Sequence, residues 1–314
     1  MSKIVSALLV LLCLSACFKH QDIEPKLNYS VQDHYLKQLH SPFPALTPEE
    51  RATDWGREYT IGQGFARQLD LYQALTAYKR ADILIAPNNE KRKNELTYDM
   101  LLCYYLGKKY NEVIYTFEHS PLRFADSSFP ATHDLLVMLY DSYIQNDQEN
   151  RAEKIFQHLQ QLYPETAKKL ELSTALTHAD FSEIQELAKG PPPDAPLEQL
   201  LQQYDTQKKS VRTAKILNAI LPGAGYLYVG QKQTALTSFL LNGLTIGAMV
   251  YFYKQGNIPA AAIFTSFEAG WYFGGIHGAG DEAKFYNERT YEHLATPMMN
   301  QNRLFPVLML NYAF

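Results

Sequence analysis

The chain has 314 residues, 46% of them hydrophobic and 20% charged, with a formal net charge of -4. That length suits one large or two modest domains, and the composition excludes a disordered chain. The charge balance excludes bulk attraction to nucleic acid or anionic lipid, and no nucleic-acid partner is expected. The aromatic content, with 22 Tyr and 16 Phe, suits helices stacked through amphipathic rings or rings at a membrane interface.

Residues 1–16 have the form of a signal peptide: Lys3 supplies a positive start, Ile4 to Leu12 a short apolar core, and small residues precede Cys17. The run Leu14-Ser15-Ala16-Cys17 resembles the lipobox of bacterial lipoproteins. That resemblance implies a mature N-terminus at Cys17, with a lipid-modified thiol and acyl chains such as palmitate. Two or three chains anchor stably where one does not. The expected location is therefore the bacterial cell envelope, with the folded body on the periplasmic side. Phe18 after the cysteine resembles lipoproteins sent to the outer membrane, whereas apolar helices further on favour the inner one, and the choice stays open. Cys103, in an apolar Leu-Leu-Cys-Tyr-Tyr run, reads as a buried structural thiol. Residues 17–46 lack periodicity and read as a tether.

Helical signals begin at Thr47-Pro48-Glu49-Glu50, where Thr47 can cap, Pro48 suits the first helical position and Glu50 completes a capping box. From there a repeat organises the chain over residues 47–190. Ile61, Met100 and Leu139 recur at one fixed step, as do Phe65, Tyr104 and Tyr143; Ala74, Val113 and Ala152; and Tyr78, Phe117 and Phe156. Each unit reads as a helix, a turn, a small residue and an aromatic four positions later on the same helical face. Gly62, Phe65, Ala74, Tyr78, Ala81 and Pro87 in the first unit, with Ala152, Phe156 and Pro164 in the third, make the pattern resemble the tetratricopeptide repeat. The period is longer than that family's usual ~34 residues. The resemblance implies a stacked-helix solenoid that binds an envelope protein or peptide at variable positions, with the repeated aromatics used for packing. A fourth pair is expected at 165–178 and 181–189, ending at Gly190-Pro191-Pro192-Pro193.

A linker and connecting helix are expected over 191–210, and an apolar domain over 211–290. Its entry is Leu221-Pro222-Gly223-Ala224-Gly225-Tyr226-Leu227-Tyr228-Val229-Gly230. Two apolar segments follow, 234–253 and 258–277, each long enough for a hydrocarbon core of about 30 Å. The short link Lys254-Gln255-Gly256-Asn257 predicts an antiparallel hairpin. The alternative is a buried hairpin of a soluble domain. The Pro-Gly-x-Gly-x-x-Tyr-x-Gly entry followed by two apolar arms resembles a small bacterial membrane-hairpin family of unknown function. Gly243 and Gly247 in the first arm, with Gly270, Gly274 and Gly278 in the second, are expected to let the arms approach closely. Lys208, Lys209, Arg212, Lys215 and Lys232 flank the entry while Lys254 alone sits in the turn. The positive-inside tendency would place that flank in the cytoplasm, opposite to the side implied by lipid on Cys17.

Chemistry-bearing constellations are few. Gly223-x-Gly225 lacks the preceding strand and following Gly-Lys of a phosphate loop and reads as a helix-entry turn. Glu268 is an intramembrane carboxylate, either facing a polar cavity or hydrogen-bonded across the hairpin to Asn242 or a tyrosine. His277 and Asp281 lie one helical turn apart without further ligands, so no metal is assigned. With no nucleophile motif, supported acid pair or thiolate cluster, the chain reads as non-enzymatic, with no catalytic residue and no cofactor. The tail 291–314 ends in an apolar run that superficially resembles an outer-membrane strand; one strand closes no barrel, so packing on the body or on lipid is expected.

The fold class is thus all-α: tetratricopeptide-like repeats followed by an apolar hairpin expected in the membrane, which also meets lipid through Cys17. The expected role is a scaffold or assembly accessory, resembling in architecture accessory subunits of outer-membrane assembly machines. The alternative role is a small transport or membrane-insertion component in which the hairpin and Glu268 are the active part.

Overall fold

The computed structural model describes residues 23–27, 32–124, 128–190 and 193–314, and every regular element among them is helical. The signal segment, Cys17 and Pro191-Pro192 lie outside the described residues. Two compact units are present: Leu27–Leu187 with Ala295–Phe314, and Ala188–Leu294 with the described residues up to Lys26.

The first unit opens with α1 (Gln32–Gln38) and α2 (Pro48–Ala52). The capping box at α2 forms as the sequence predicts: Glu50 N donates to Thr47 Oγ1 at 3.2 Å and Thr47 N donates to Glu50 Oε2 at 2.8 Å. Glu50 also accepts a forked pair of bonds from Arg92, whose Nη1 donates to Glu95 Oε2 at 2.6 Å and to the Pro44 carbonyl at 2.9 Å. Residues 35–46, expected in a tether, are therefore fastened to the body. Leu36, Phe43 and Leu46 are buried, and the Phe43 ring packs on Tyr98 and Phe129. Their irregular spacing hid them, because it matches neither a helical nor a strand period.

Eight helices follow in consecutive pairs: α3 (Asp54–Arg67) with α4 (Leu71–Leu84), α5 (Glu90–Leu106) with α6 (Tyr110–Glu118), α7 (Thr132–Ile144) with α8 (Glu149–Leu162), and α9 (Pro164–His178) with α10 (Phe181–Ala188). From α3 to α9 each helix packs on the next. Ala74, Val113 and Ala152, one of the four repeated columns, sit fully buried in α4, α6 and α8, with Val113 standing where the first and third units have alanine. Cys103 is a free, buried thiol, as expected.

Successive first helices are also joined by hydrogen bonds that the columns did not reveal. Tyr59 Oη donates to Asp99 Oδ2 at 2.8 Å, linking α3 to α5. Tyr105 Oη donates to Asp141 Oδ2 at 2.6 Å, linking α5 to α7. The Tyr140 and Thr174 hydroxyls lie 3.0 Å apart between α7 and α9.

The second unit contains α11 (Ala195–Gln207), α12 (Val211–Ile220), the short α13 (Ala224–Val229) and α14 (Lys232–Lys254). The 44-residue α15 (Ile258–Gln301) belongs to it as far as Leu294. Gly256, with φ +72°, makes the turn between α14 and α15. The unit's small core holds Ala214, Val229 and Ala283, with Val211, Tyr228 and Tyr286 against them. Among the described residues α14 is the one helix long and apolar enough to cross a membrane, and only 17% of its apolar stretch is buried. The second apolar segment, residues 258–277, is helical as expected but is the start of α15, which runs on through charged residues well beyond a bilayer's thickness.

Candidate functional site

Two arrangements carry chemistry: a clamp on the C-terminal segment in the first unit, and a polar cluster between α14 and α15 in the second.

In the first unit the residues after α15 turn at Arg303, whose φ is +51°, and form a short 3-10 helix, Pro306–Met309, packed against α1, α7 and α9. Leu304, Phe305, Val307, Leu308, Met309, Leu310, Ala313 and Phe314 are buried. From Leu310 onward the segment is held through its main chain. Asn311 N donates to both Asp134 oxygens at 3.0 and 2.9 Å, and Tyr312 N donates to Asp134 Oδ2 at 2.8 Å. Tyr35 Oη donates to the Leu310 carbonyl at 2.7 Å, and Ala313 N donates to the His40 carbonyl at 3.1 Å. Arg67 Nε lies 3.4 Å from the Phe314 carbonyl oxygen.

Asp134 is fully buried with no Lys or Arg paired to it among the described residues. His133 Nδ1 lies 2.7 Å from its Oδ1, and the opposite ring nitrogen lies 2.9 Å from Thr166 Oγ1. A buried carboxylate that accepts main-chain N–H groups supplies strong, charge-assisted bonds without reading side-chain identity; the apolar side chains of the segment fill the space around it. Sequence reasoning assigned Asp134 no role. The apolar run at 304–314 was the available signal, and of the two packing surfaces left open for it the structure selects the body.

The sequence-predicted site residues of the second unit separate into two groups. A Cβ built at Gly243, Gly247, Gly270 or Gly274 meets nothing within 4 Å, so those four are no close-packing seam within this chain, and that expectation is corrected. The physical reason lies between the helices. The stacked Phe252 and Phe264 rings, 5.4 Å apart, and the Thr245–Glu268 contact hold α14 and α15 at side-chain distance. Gly278 is tight, but against Tyr226 on α13, whose Oη lies 2.3 Å from a built Cβ. Gly275 faces Asn218 and Gly280 faces Lys215. The close approach is therefore between α15 and the α12–α13 entry.

The entry motif explains this. Gly223 and Gly230 both have φ +93° and bound α13. Gly223 N donates to Asn218 Oδ1 at 2.9 Å. A Cβ at Gly225 would lie 2.3 Å from the Ala214 carbonyl oxygen and 2.8 Å from Ala279 Cβ. The glycine run is a packing turn, and its N–H groups serve the fold. Asn287 fastens the same entry from α15, accepting from Lys209 N at 2.7 Å and donating to the Lys209 carbonyl at 2.9 Å. His277 and Asp281 are exposed, and no group of three or more potential ligands occurs among the described residues.

Glu268 is buried at 9% exposure, with Asn242 at 3% and Thr245 at 8%. Thr245 Oγ1 contacts Glu268 Oε2 and also lies 2.9 Å from the Leu241 carbonyl and 3.1 Å from the Asn242 carbonyl. Asn242 Nδ2 donates to the Ser238 carbonyl at 2.7 Å, while Asn242 Oδ1 and Glu268 Oε1 are buried without a donor. Of the two partners expected for Glu268, neither Asn242 nor a tyrosine forms the bond; Thr245 does.

Compared with known proteins, the chain matches no family model, no curated protein and no solved structure.

Proposed function

We propose that this chain is a non-enzymatic bacterial envelope lipoprotein whose helix-pair body, a tetratricopeptide-like solenoid, binds an extended segment of another envelope protein as a scaffold or assembly accessory. The observation that carries this reading is the C-terminal segment held by its main chain on buried Asp134. A surface that grips the backbone and buries scattered apolar side chains suits an extended apolar peptide, and the chain's own segment, whose Asn311 side-chain nitrogen also lies 2.8 Å from His133 Nδ1, supports that reading by analogy. The repeated burial of Ala74, Val113 and Ala152 supports the solenoid part.

The membrane part rests on an inside-out distribution. Helix α14 buries only Ala235, Asn242 and Thr245, while Leu236, Phe239, Leu240, Leu244 and Val250 are exposed, as are Ile263, Phe267, Trp271 and Phe273 on α15. In water that arrangement would expose a large apolar patch; in lipid it costs nothing and the polar groups are the ones sheltered. The two helices then form a hairpin embedded in the membrane, beside a lipid on Cys17.

In-cell crosslinking tests the scaffold role. A photoreactive phenylalanine in place of Tyr163, whose ring packs on His133 at 4.9 Å, is expected to capture a second envelope protein through an extended apolar segment mapped by mass spectrometry. Adducts confined to residues 304–314 in every condition would show a closed structural module instead. Mass spectrometry of the mature N-terminus is expected to find lipid on Cys17. A lipid-free terminus elsewhere, with Cys17→Ser leaving membrane association unchanged, would remove the lipoprotein part.

A further inference from the structure

Between α14 and α15 the apolar helices turn polar side chains inward, and those side chains are rich in acceptors and poor in donors. The acceptors without a donor are Glu268 Oε1 and Asn242 Oδ1, both on side chains more than nine-tenths buried. Thr245 brings one hydroxyl proton to a position where three oxygens compete for it: Glu268 Oε2 and the Leu241 and Asn242 carbonyls. One amide proton of Asn242 is already given to Ser238. No Lys, Arg or His forms an ion pair with Glu268 among the described residues.

A buried acceptor left without a partner costs about 1–3 kcal/mol, and more when it is charged. The cluster therefore lacks a donor or a cation for these two oxygens. A single carboxyl with two neutral oxygens beside it matches one unit of positive charge. With no second acid among its partners, it does not match a divalent ion, which is usually met by more carboxylate.

We propose that Asn242, Thr245 and Glu268 form a binding site for one monovalent cation, either a proton carried by the carboxyl or Na⁺ coordinated by the side-chain oxygens. As a proton site, the neutral carboxyl donates one bond and Thr245 keeps its proton for the helix carbonyl. As a sodium site, Oε1, Oδ1 and Oγ1 replace water around the ion. The inference rests on the lipid-facing reading of the two helices, and the two can fail separately: membrane fractionation reads the first, chemistry at Glu268 the second.

Dicyclohexylcarbodiimide, an apolar reagent that attacks protonated carboxyls sheltered from water, gives that readout. The carboxyl oxygen bonds to the central carbon, the acid proton moves to nitrogen, and the adduct rearranges to a stable N-acylurea with nothing lost. The full chain in detergent or liposomes is treated at a series of pH values, in sodium or choline salt, and Glu268 is read by peptide mass spectrometry. For either occupant the reagent needs the protonated carboxyl, so labelling declines as pH rises. For sodium, labelling at fixed pH is also suppressed by Na⁺ and not by choline; for a proton the two salts agree. Glu268→Gln, whose amide brings its own donor, is expected to keep the fold while losing the label. Labelling of Glu268 that ignores both pH and sodium, or its absence at every pH from about 5 to about 9, overturns the proposal.

Discussion

Asp99 shows how much a single buried group can contribute to pH dependence. Burial away from water raises its carboxyl from the ordinary 3.8 to about 8, against the opposing effect of the Tyr59 hydrogen bond, and its Oδ1 has no donor. Burial raises Glu95 and Asp141 as well. The sign follows from linkage: a carboxyl held above its unfolded value favours the folded state while it is neutral. Its contribution is fully present below about 3.8 and is lost as pH rises through about 8. Each pKa unit corresponds to roughly 1.4 kcal/mol, so the loss across that window is on the order of a few kcal/mol. The urea midpoint is expected to fall as pH rises from weakly acidic to alkaline, and Asp99→Asn is expected to flatten most of that slope. An equally steep dependence in Asp99→Asn would assign the effect elsewhere.

At the scale of helices, the glycines divide by what surrounds them. Gly274 is helical with nothing beside a built Cβ, so Gly274→Ala gains helix propensity, up to about 1 kcal/mol, without a clash. Gly225→Ala drives a methyl into the Ala214 carbonyl and Ala279, contacts that backbone and Cβ atoms cannot relax. Overpacking of this kind costs about 1–3 kcal/mol. Thermal unfolding in detergent should show Gly274→Ala at or above the parent midpoint and Gly225→Ala below it; the reverse order would contradict the packing of α13 between α12 and α15. Spacing by four was enough to show that Gly270, Gly274 and Gly278 share a face. It did not reveal what that face meets, because α15 extends past α14 and the neighbour at Gly278 is Tyr226.

At the scale of the whole chain, residues 304–314 complete a unit built from much earlier sequence. A fragment of residues 47–190, the span of the repeats, lacks both this segment and the buried Leu36, Phe43 and Leu46. It is expected to be helical by circular dichroism but to unfold over a broad, low transition. A longer fragment of residues 32–190, which restores Leu36, Phe43 and Leu46, should gain a higher and sharper transition when the peptide of residues 304–314 is added. Asp134→Ala, which removes the acceptor for two main-chain donors, should weaken peptide binding about tenfold or more, since bonds to a charged group contribute about 1.5–3 kcal/mol. A 32–190 fragment equally stable with and without peptide would show the segment to be a passive passenger.

What the sequence determined by itself were features whose cause is local or periodic. The capping box at Thr47, the repeated column at 74, 113 and 152, the helices expected at 165–178 and 181–189 and found at Pro164–His178 and Phe181–Ala188, and the turn at Gly256 all follow from neighbours within a few positions or from one repeated step. The all-helical class followed from the sum of such signals. Tertiary structure decided what each surface meets: Asp134 against residues 311 and 312, Tyr59 against Asp99, Gly278 against Tyr226, and Thr245 rather than Asn242 against Glu268. The physical reason is that periodicity reports which residues share a face, whereas a contact between distant segments depends on the shape and polarity of two faces at once, and neither face alone carries that information.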